Sequence, residues 1–377
     1  MKSKKIIFIT SSRADYGLLR NLILEVQRIN PETYLLVTGS HLSKEFGETI
    51  LEIKKDKIKN IIKKKILSNN FKDKNILKYI QQSIKVTSDV IEKLSPSNLV
   101  ILGDRYELLG CAIAATILRI PITHLHGGEI TIGSYDDSIR HSISKLSHLH
   151  FPIHQIYKKR LIQLGEDPKT IFNYGSLGAY SIKNIKLFSK IELEQNFNIK
   201  LDKKIILATF HPVTLEKDKA QFQISNLIKF LKTQHDKIII FTSPNFDNEN
   251  KIIKKQILSF VKKRKNVYFF NSLGNKYYTS FMNIAHLVIG NSSSGVLETP
   301  SFGTRTINIG DRQKGRIFSK NIINSDYKVK SIYNAYLKII NKPKKKTNIF
   351  YRKNTPQNIA RKIISFKFNL KKKFYDL

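Results

Sequence analysis

Residues 5–10, 34–38, 98–103, 121–126 and 149–153 are short apolar runs, each followed by an interval long enough to hold a helix. The pattern starts again at 204–210, 237–242, 266–271, 287–290 and 305–309. An unbroken apolar run of this length is a strand buried on both faces, and such strands occur in parallel sheets covered by helices. Two series in succession predict an α/β chain of two doubly wound parallel-sheet domains. Residues 171–174 are the candidate sixth strand of the first series. The boundary is expected near Gly175, Ser176 and Gly178, dividing the 377 residues into 1–176, 177–353 and a basic tail, 354–377. Ile359, Ile363 and Ile364 give that tail helical spacing, and it is expected to pack back on the first domain.

In open parallel sheets ligands bind at the carboxyl ends of the strands. Polar groups gather there repeatedly: Ser11 to Gly17 after the first strand, Gly103-Asp104-Arg105 after the third, His126-Gly127-Gly128-Glu129 after the fourth. The second series repeats this with His211-Pro212, Ser243-Pro244-Asn245, Asn291 to Gly295 and Gly310-Asp311-Arg312. The expectation is a single active site in the cleft between the two domains.

The densest segment runs from His124 to His141 and contains Glu129, Asp136, Asp137 and Arg140. Such a density of titratable side chains directly after a strand suits acid–base chemistry; the competing view is a solvated, capped helix start. Asp104 beside Arg105 reads either as an ionised catalytic carboxylate or as a structural ion pair. Asn291-Ser292-Ser293-Ser294-Gly295 before an apolar helical stretch suits a pyrophosphate at a helix N-terminus, against the plainer alternative of a serine cap. Glu298 suits a ribose diol, and Arg312 and Arg316 supply positive charge. No Walker loop and no Gly-x-Gly-x-x-Gly fingerprint is present, which disfavours triphosphate hydrolysis and nicotinamide binding. Six of the ten histidines lie between His124 and His154, yet no His-x-x-x-His pair or cysteine set accompanies them, so neither a metal nor another cofactor is expected.

The formal charge of +37 raises the question of nucleic acid. The lysines are scattered among isoleucine and asparagine, and aromatics do not interleave with arginines as in a single-strand platform, so no nucleic-acid partner is expected. No apolar run reaches the roughly 18 residues of a membrane span, and no signal-peptide pattern is read. Cys111, the sole cysteine, lies in an apolar run and reads as a core residue in a reducing, cytoplasmic setting.

Ser12 to Gly17, Gly103-Asp104-Arg105, His124 to Glu129, Asp136 to His141, His211 to Thr214, Asn291 to Gly295 and Gly310 to Arg316 together resemble the hydrolysing UDP-N-acetylglucosamine 2-epimerases. The similarity covers nearly the whole chain in order and is nearest to the bacterial branch that makes N-acetylmannosamine for sialic acid. It implies the two-domain GT-B fold and a homo-oligomer acting on a small UDP-sugar, without integral membrane contact. The implied reaction removes UDP from the anomeric carbon together with the C2 proton, giving a 2-acetamidoglucal. Water then adds with inversion at C2. Acid–base or electrostatic roles carry over to Asp104, Glu129, Asp136 or Asp137, and His211. Nucleotide contacts carry over to Arg13, Asn245, Ser292, Ser293, Glu298 and Arg312.

His126 is a departure, because many relatives have glutamate there. The duty of that glutamate must pass to His126, Glu129 or Asp104. Three other readings remain open: a 2-epimerase for UDP-2,4-diacetamido-2,4,6-trideoxyglucose on the route to legionaminic acid, a GT-B glycosyltransferase, and a non-catalytic nucleotide-sugar binder.

Overall fold

The computed structural model describes residues 4–43, 49–66, 73–132, 135–213, 216, 218–245 and 249–377. The chain forms two compact units. The first comprises Met1–Glu129, Asp136–Ser181 and Phe350–Leu377; the second comprises Ile130–Tyr135 and Ile182–Ile349.

The first unit alternates β1 (Ile6–Thr10), α1 (Arg13–Ile29), β2 (Thr33–Val37), α2 (Ile50–Lys54), β3 (Asn60–Lys63) and α3 (Asp73–Leu94). It continues with β4 (Asn98–Leu102), α4 (Tyr106–Ile117), β5 (Ile122–Leu125), α5 (Asp136–Leu146), β6 (Leu149–Phe151) and α6 (Gln155–Gln163). All six strands are parallel, in the order β3-β2-β1-β4-β5-β6. Side chains alternate across a strand, so each apolar run feeds two cores. Ile6, Phe8, Val100 and Leu102 face α1, whereas Ile7, Ile9, Leu99 and Ile101 face α3 and α4. Helix α4 meets them with Leu108, Cys111, Ala112 and Ala115, which share one helical face. Cys111 is therefore a packing residue, and burial pushes its thiol up to about 12.

The second unit begins within α7 (Leu177–Asn184) and continues with α8 (Lys190–Phe197), β7 (Lys204–Thr209), α9 (Ala220–Lys232), β8 (Lys237–Thr242), α10 (Asn250–Lys262) and β9 (Val267–Phe270). Then come α11 (Gly274–Ile284), β10 (Leu287–Gly290), α12 (Ser294–Leu297), β11 (Thr306–Ile309), β12 (Ile322–Ser325) and α13 (Val329–Ile340). Its parallel sheet has the order β12-β11-β10-β7-β8-β9, the same winding as the first. In each sheet the winding direction reverses between two central strands, β1/β4 and β7/β10. Each reversal leaves a crevice at the carboxyl ends.

The sixth strands differ from the sequence expectation. Residues 171–174 make only an isolated bridge, Ile171 to His150, while β3 occupies the opposite edge of the first sheet. In the second sheet β12 is likewise an edge strand absent from the sequence reading. Edge strands carry polar and charged residues that block further pairing, so Asn60 and Lys63 conceal β3 from a search for apolar runs.

The last helix, α14 (Thr355–Ser365), buries Ile359 and Ile363 in the core beneath α1. Beyond it, Lys372 Nζ donates to the carbonyls of Lys145 and Ser147 and lies 2.6 Å from the buried Glu166 carboxylate. Lys145 and His150 meet the same carboxylate at 3.0 and 2.9 Å. Among the described residues no helix is long and apolar enough to cross a membrane.

Candidate active site

At the carboxyl end of β1, Asp15 holds the strand-to-helix turn. Its carboxylate accepts from the backbone N–H groups of Ser11, Ser12 and Tyr16 at 2.8–2.9 Å and from the Thr10, Ser11 and Ser12 hydroxyls. Ser12 completes a capping box with Asp15, so this part of the Ser11–Gly17 signature is structural. Arg13 lies in the first turn of α1, with Nε 3.4 Å from Glu52 Oε1 in a half-exposed pair. Such a pair contributes little to stability.

Across the crevice, Asp104 follows β4. Its partner is Arg140 of α5 and not the adjacent Arg105, whose Nε donates to Glu107 Oε1 at 2.6 Å. Arg140 is 1% exposed and also donates to Asp137 Oδ1 at 3.1 Å and to the Glu129 carbonyl at 3.0 Å. Burial alone would depress its pKa, but Asp104, Glu129 and Asp137 together hold it above the ordinary value. One guanidinium thus ties together the β4 end, the β5 loop and the first turn of α5, where Asp136 and Asp137 both lie.

The β5 strand supplies the histidines, and they part company. His124 is fully buried, with Nε2 against the Gly103 carbonyl at 2.8 Å and Nδ1 against Ser144 Oγ at 3.0 Å. A carbonyl can only accept, so Nε2 carries the hydrogen and Nδ1 accepts from Ser144. Burial pushes its pKa down to about 3, which keeps His124 neutral and structural. His126 has left the strand in the left-handed region, φ +66°. Its Nδ1 lies 3.3 Å from Glu129 Oε1. Gly128 makes this turn possible, since a Cβ there would stand 2.3 Å from the Tyr157 carbonyl. Among the described residues no cluster of three histidine, cysteine or acidic side chains is arranged to hold a metal ion.

In the second unit the reversal point is closed by a reciprocal pair. Asn291 accepts from the His211 backbone N–H at 2.7 Å and donates to the His211 carbonyl at 2.8 Å. Its own carbonyl accepts from Arg312 Nη1 at 3.3 Å and Gln313 Nε2 at 3.0 Å. His211 Nδ1 accepts from the Asn245 backbone N–H at 2.9 Å, so the imidazole hydrogen sits on Nε2. Burial and the Arg312 charge push the His211 pKa well below its ordinary value. His211 is therefore a neutral hydrogen-bond donor, which favours an electrostatic role over that of a proton acceptor.

The serine loop follows β10. Gly290 brings it against β7 so closely that a Cβ would lie 1.9 Å from the Thr209 carbonyl. Ser294 is turned inward, to Tyr278 at 2.8 Å and Ser292 at 2.9 Å, while Ser293 makes no capping bond. Ser292 Oγ accepts from the Ser294 N–H at 3.4 Å, so the serine-cap alternative holds in part and comes from Ser292. Helix α12 is a single turn, so any anion affinity here comes from N–H groups and hydroxyls more than from a macrodipole. Glu298 follows α12 half-buried, and burial pushes its carboxyl up to about 7.

A profile of the family described as UDP-N-acetylglucosamine 2-epimerase matches residues 25–364. The chain belongs to that family. It is 45% identical over 86% of its length to the GDP/UDP-N,N'-diacetylbacillosamine 2-epimerase (hydrolyzing) of Campylobacter jejuni, covering 85% of that protein. It is also 32% identical to the UDP-N-acetylglucosamine 2-epimerase of Neisseria meningitidis, over 88% of this chain and 86% of the relative. In fold it resembles the crystal structure of UDP-GlcNAc 2-epimerase from Neisseria meningitidis bound to UDP-GlcNAc. That match has a TM-score of 0.76 over 95% and 98% of the two chains, at 18% identity. The two doubly wound sheets are those of the GT-B class.

The predicted residues divide between the units. Asp104, His126, Glu129, Asp136 and Arg13 belong to the first; His211, Asn245, Ser292, Ser293, Glu298 and Arg312 belong to the second. Thr214, quoted in the His211 motif, lies outside the described residues. Arg140 and Asn291 lie within the motifs named above but carry no expected role of their own, and Ser144 lies outside them. The three-residue spacing of Asp137 and Arg140 on a helix was the available signal for one of them. Nothing local distinguishes Asn291 from the serines beside it.

Proposed function

We propose that the protein is a hydrolysing UDP-sugar 2-epimerase that releases UDP and a 2-epimerised amino sugar. The observation that carries this reading, in a chain of this family, is that Arg140 holds Asp104, Asp137 and the Glu129 backbone together while the Glu129 carboxylate faces His126. Removing a carbon-bound proton beside a departing diphosphate needs a positioned base, typically worth about 10²–10⁴-fold. Loss of UDP from the anomeric carbon with the C2 proton gives a 2-acetamidoglucal. Water then adds its oxygen to C1, and C2 gains a proton on the opposite face.

The second unit suits the nucleotide. Ser292 and Ser293 face the diphosphate, Glu298 the ribose, and Asn245 and Arg312 flank them. His211 Nε2–H donates to an oxygen that gains charge as the bond breaks, a preorganised stabilisation of the kind that usually dominates such steps. The lone buried Cys111 and the described helices fit a cytoplasmic setting.

The substrate read from the sequence is UDP-N-acetylglucosamine, giving N-acetylmannosamine for sialic acid. The 45% relative favours a second, UDP-N,N'-diacetylbacillosamine, the 2,4-diacetamido-trideoxy sugar. Each should be offered in deuterium oxide, with products identified by NMR. UDP plus a manno-configured sugar carrying deuterium at C2 is expected, and the faster substrate names the sugar. In ¹⁸O-water the label should enter the sugar's anomeric oxygen and not UDP. Retention of the C2 hydrogen would refute the epimerase, and a requirement for an acceptor would indicate a glycosyltransferase.

A further inference from the structure

Three features of the β5 loop coincide at His126. His126 holds a left-handed backbone, φ +66°, which a non-glycine residue adopts at a cost. Its side chain is nevertheless buried, 8% exposed, and the buried Nε2 makes no hydrogen bond. The other ring nitrogen, Nδ1, stands 3.3 Å from a carboxylate oxygen of Glu129, itself 2% exposed. Strain is expected to persist where the surroundings over-determine it, and here they do. His126 N donates to the Phe151 carbonyl, Gly127 is closed in by Ser144 and His124, and Arg140 grips the Glu129 carbonyl.

A carboxylate oxygen 3.3 Å from Nδ1 favours the tautomer with the hydrogen there, which leaves the lone pair on Nε2. That is the arrangement of a histidine base oriented by an acid. The separation is that of a loose contact, as is common before substrate tightens such a bond. The alternatives are less well disposed. Asp104 Oδ2 is already engaged by Arg140, and Glu129 faces the imidazole.

We propose, on the epimerase reading above, that His126 is the catalytic base for the C2 proton and that Glu129 is its positioning residue. The Nε2 lone pair takes the C2 proton and the C2–H electrons become the C1=C2 bond. The C1–O electrons leave with the diphosphate, and Glu129 balances the imidazolium that forms. The imidazolium then loses its proton to solvent before the next turnover. Proton abstraction at C2 is thus assigned to an imidazole of this chain.

The test uses the full chain and the better of the two UDP-sugars. His126→Asn keeps a residue that tolerates the left-handed region but cannot serve as a base. It should lower kcat at least about 10²-fold, with UDP affinity unchanged within about threefold by calorimetry as evidence of a native fold. His126→Glu should restore at least about tenfold of that loss. It should also move the acid limb of kcat/KM to lower pH, because a carboxyl loses its proton at lower pH than an imidazole. Glu129→Gln should lower kcat with KM little changed, and Glu129→Asp should recover part of it. Turnover of His126→Asn within threefold of wild type overturns the proposal. So does an inactive His126→Glu, or an active one with an unshifted acid limb. Absence of UDP release by the wild-type protein from either sugar would instead refute the epimerase reading itself.

Discussion

Replacing Glu298 by Gln should stabilise the unliganded protein and weaken its hold on UDP. Burial raises this carboxyl to about 7 in the folded chain, against about 4.3 when unfolded. The folded state therefore binds the proton more tightly, and its stability falls as pH rises from about 4 to about 7. Above that window the full cost of the buried charge is present, on the order of 1–3 kcal/mol after allowance for partial exposure. The glutamine variant carries no such charge and should melt higher at pH 8. Binding has the opposite sign. If ribose hydroxyls donate to Glu298, the carboxylate must be ionised, and at pH 6 only roughly a tenth of it is. UDP affinity should therefore drop about tenfold from pH 8 to pH 6 beyond the change due to UDP's own titration. The assay is calorimetry of UDP binding at pH 6 in two buffers of different ionisation enthalpy. Wild type should release close to one more proton than Glu298→Gln, because UDP titrates identically with both. Equal proton counts together with an unchanged melting temperature at pH 8 would refute both the elevated pKa and the ribose contact.

Asn291→Ala removes both bonds to the His211 backbone and leaves a part-buried N–H and carbonyl unsatisfied. It should cost about 2–4 kcal/mol in urea unfolding, and kcat should fall with it. Asp104→Asn should reduce kcat at least about 10²-fold while leaving UDP affinity nearly intact, since it acts mainly in the transition state; His211→Ala should reduce kcat likewise and also weaken UDP, which carries the charge that Nε2–H faces, and near wild-type turnover in both would displace the site. Glu166 is held below the usual carboxylate range, against burial, by His150 and Lys372. Its stability contribution is present above the unfolded pKa and is lost as pH falls through the folded one. Lys372→Met should shrink that acid-side loss and lower the neutral-pH melting temperature, checked by thermal melts between pH 3 and pH 7. Raising salt from 50 to 300 mM should change substrate KM only modestly, because surface lysines are screened over about 8 Å; a steep dependence, with tight binding of random DNA, would revive a nucleic-acid role.

Ten of the twelve strands among the described residues are visible as apolar runs, because a strand buried on both faces must be apolar throughout. The other two, β3 and β12, are edge strands whose exposed sides require polar residues, and residues 171–174, the candidate sixth strand of the first series, contribute only the Ile171–His150 bridge. The strand-end clusters were equally visible, since ligand groups in such sheets must sit where strands stop. The roles within those clusters were not. Asp104 and Arg105 are adjacent in sequence, yet the carboxylate belongs to Arg140 of a later helix, because a hydrogen bond depends on direction and not on chain distance. His124 and His126 look equivalent two residues apart. Only the fold makes one a neutral buried strut and turns the other, through a left-handed backbone, against Glu129.

Local chemistry thus determined the α/β class, the two sheets and the strand ends that carry the polar groups. Apolar periodicity and turn-forming residues act over a few positions and can be read there. Tertiary structure alone decided which carboxylate faces which cation, which imidazole nitrogen holds its hydrogen, and that Asn291 locks His211 in place. Those outcomes depend on groups brought together across 36 residues for Asp104 and Arg140 and 80 for His211 and Asn291. The neutral state of His124 and His211 follows from burial, which exists only once the chain has folded.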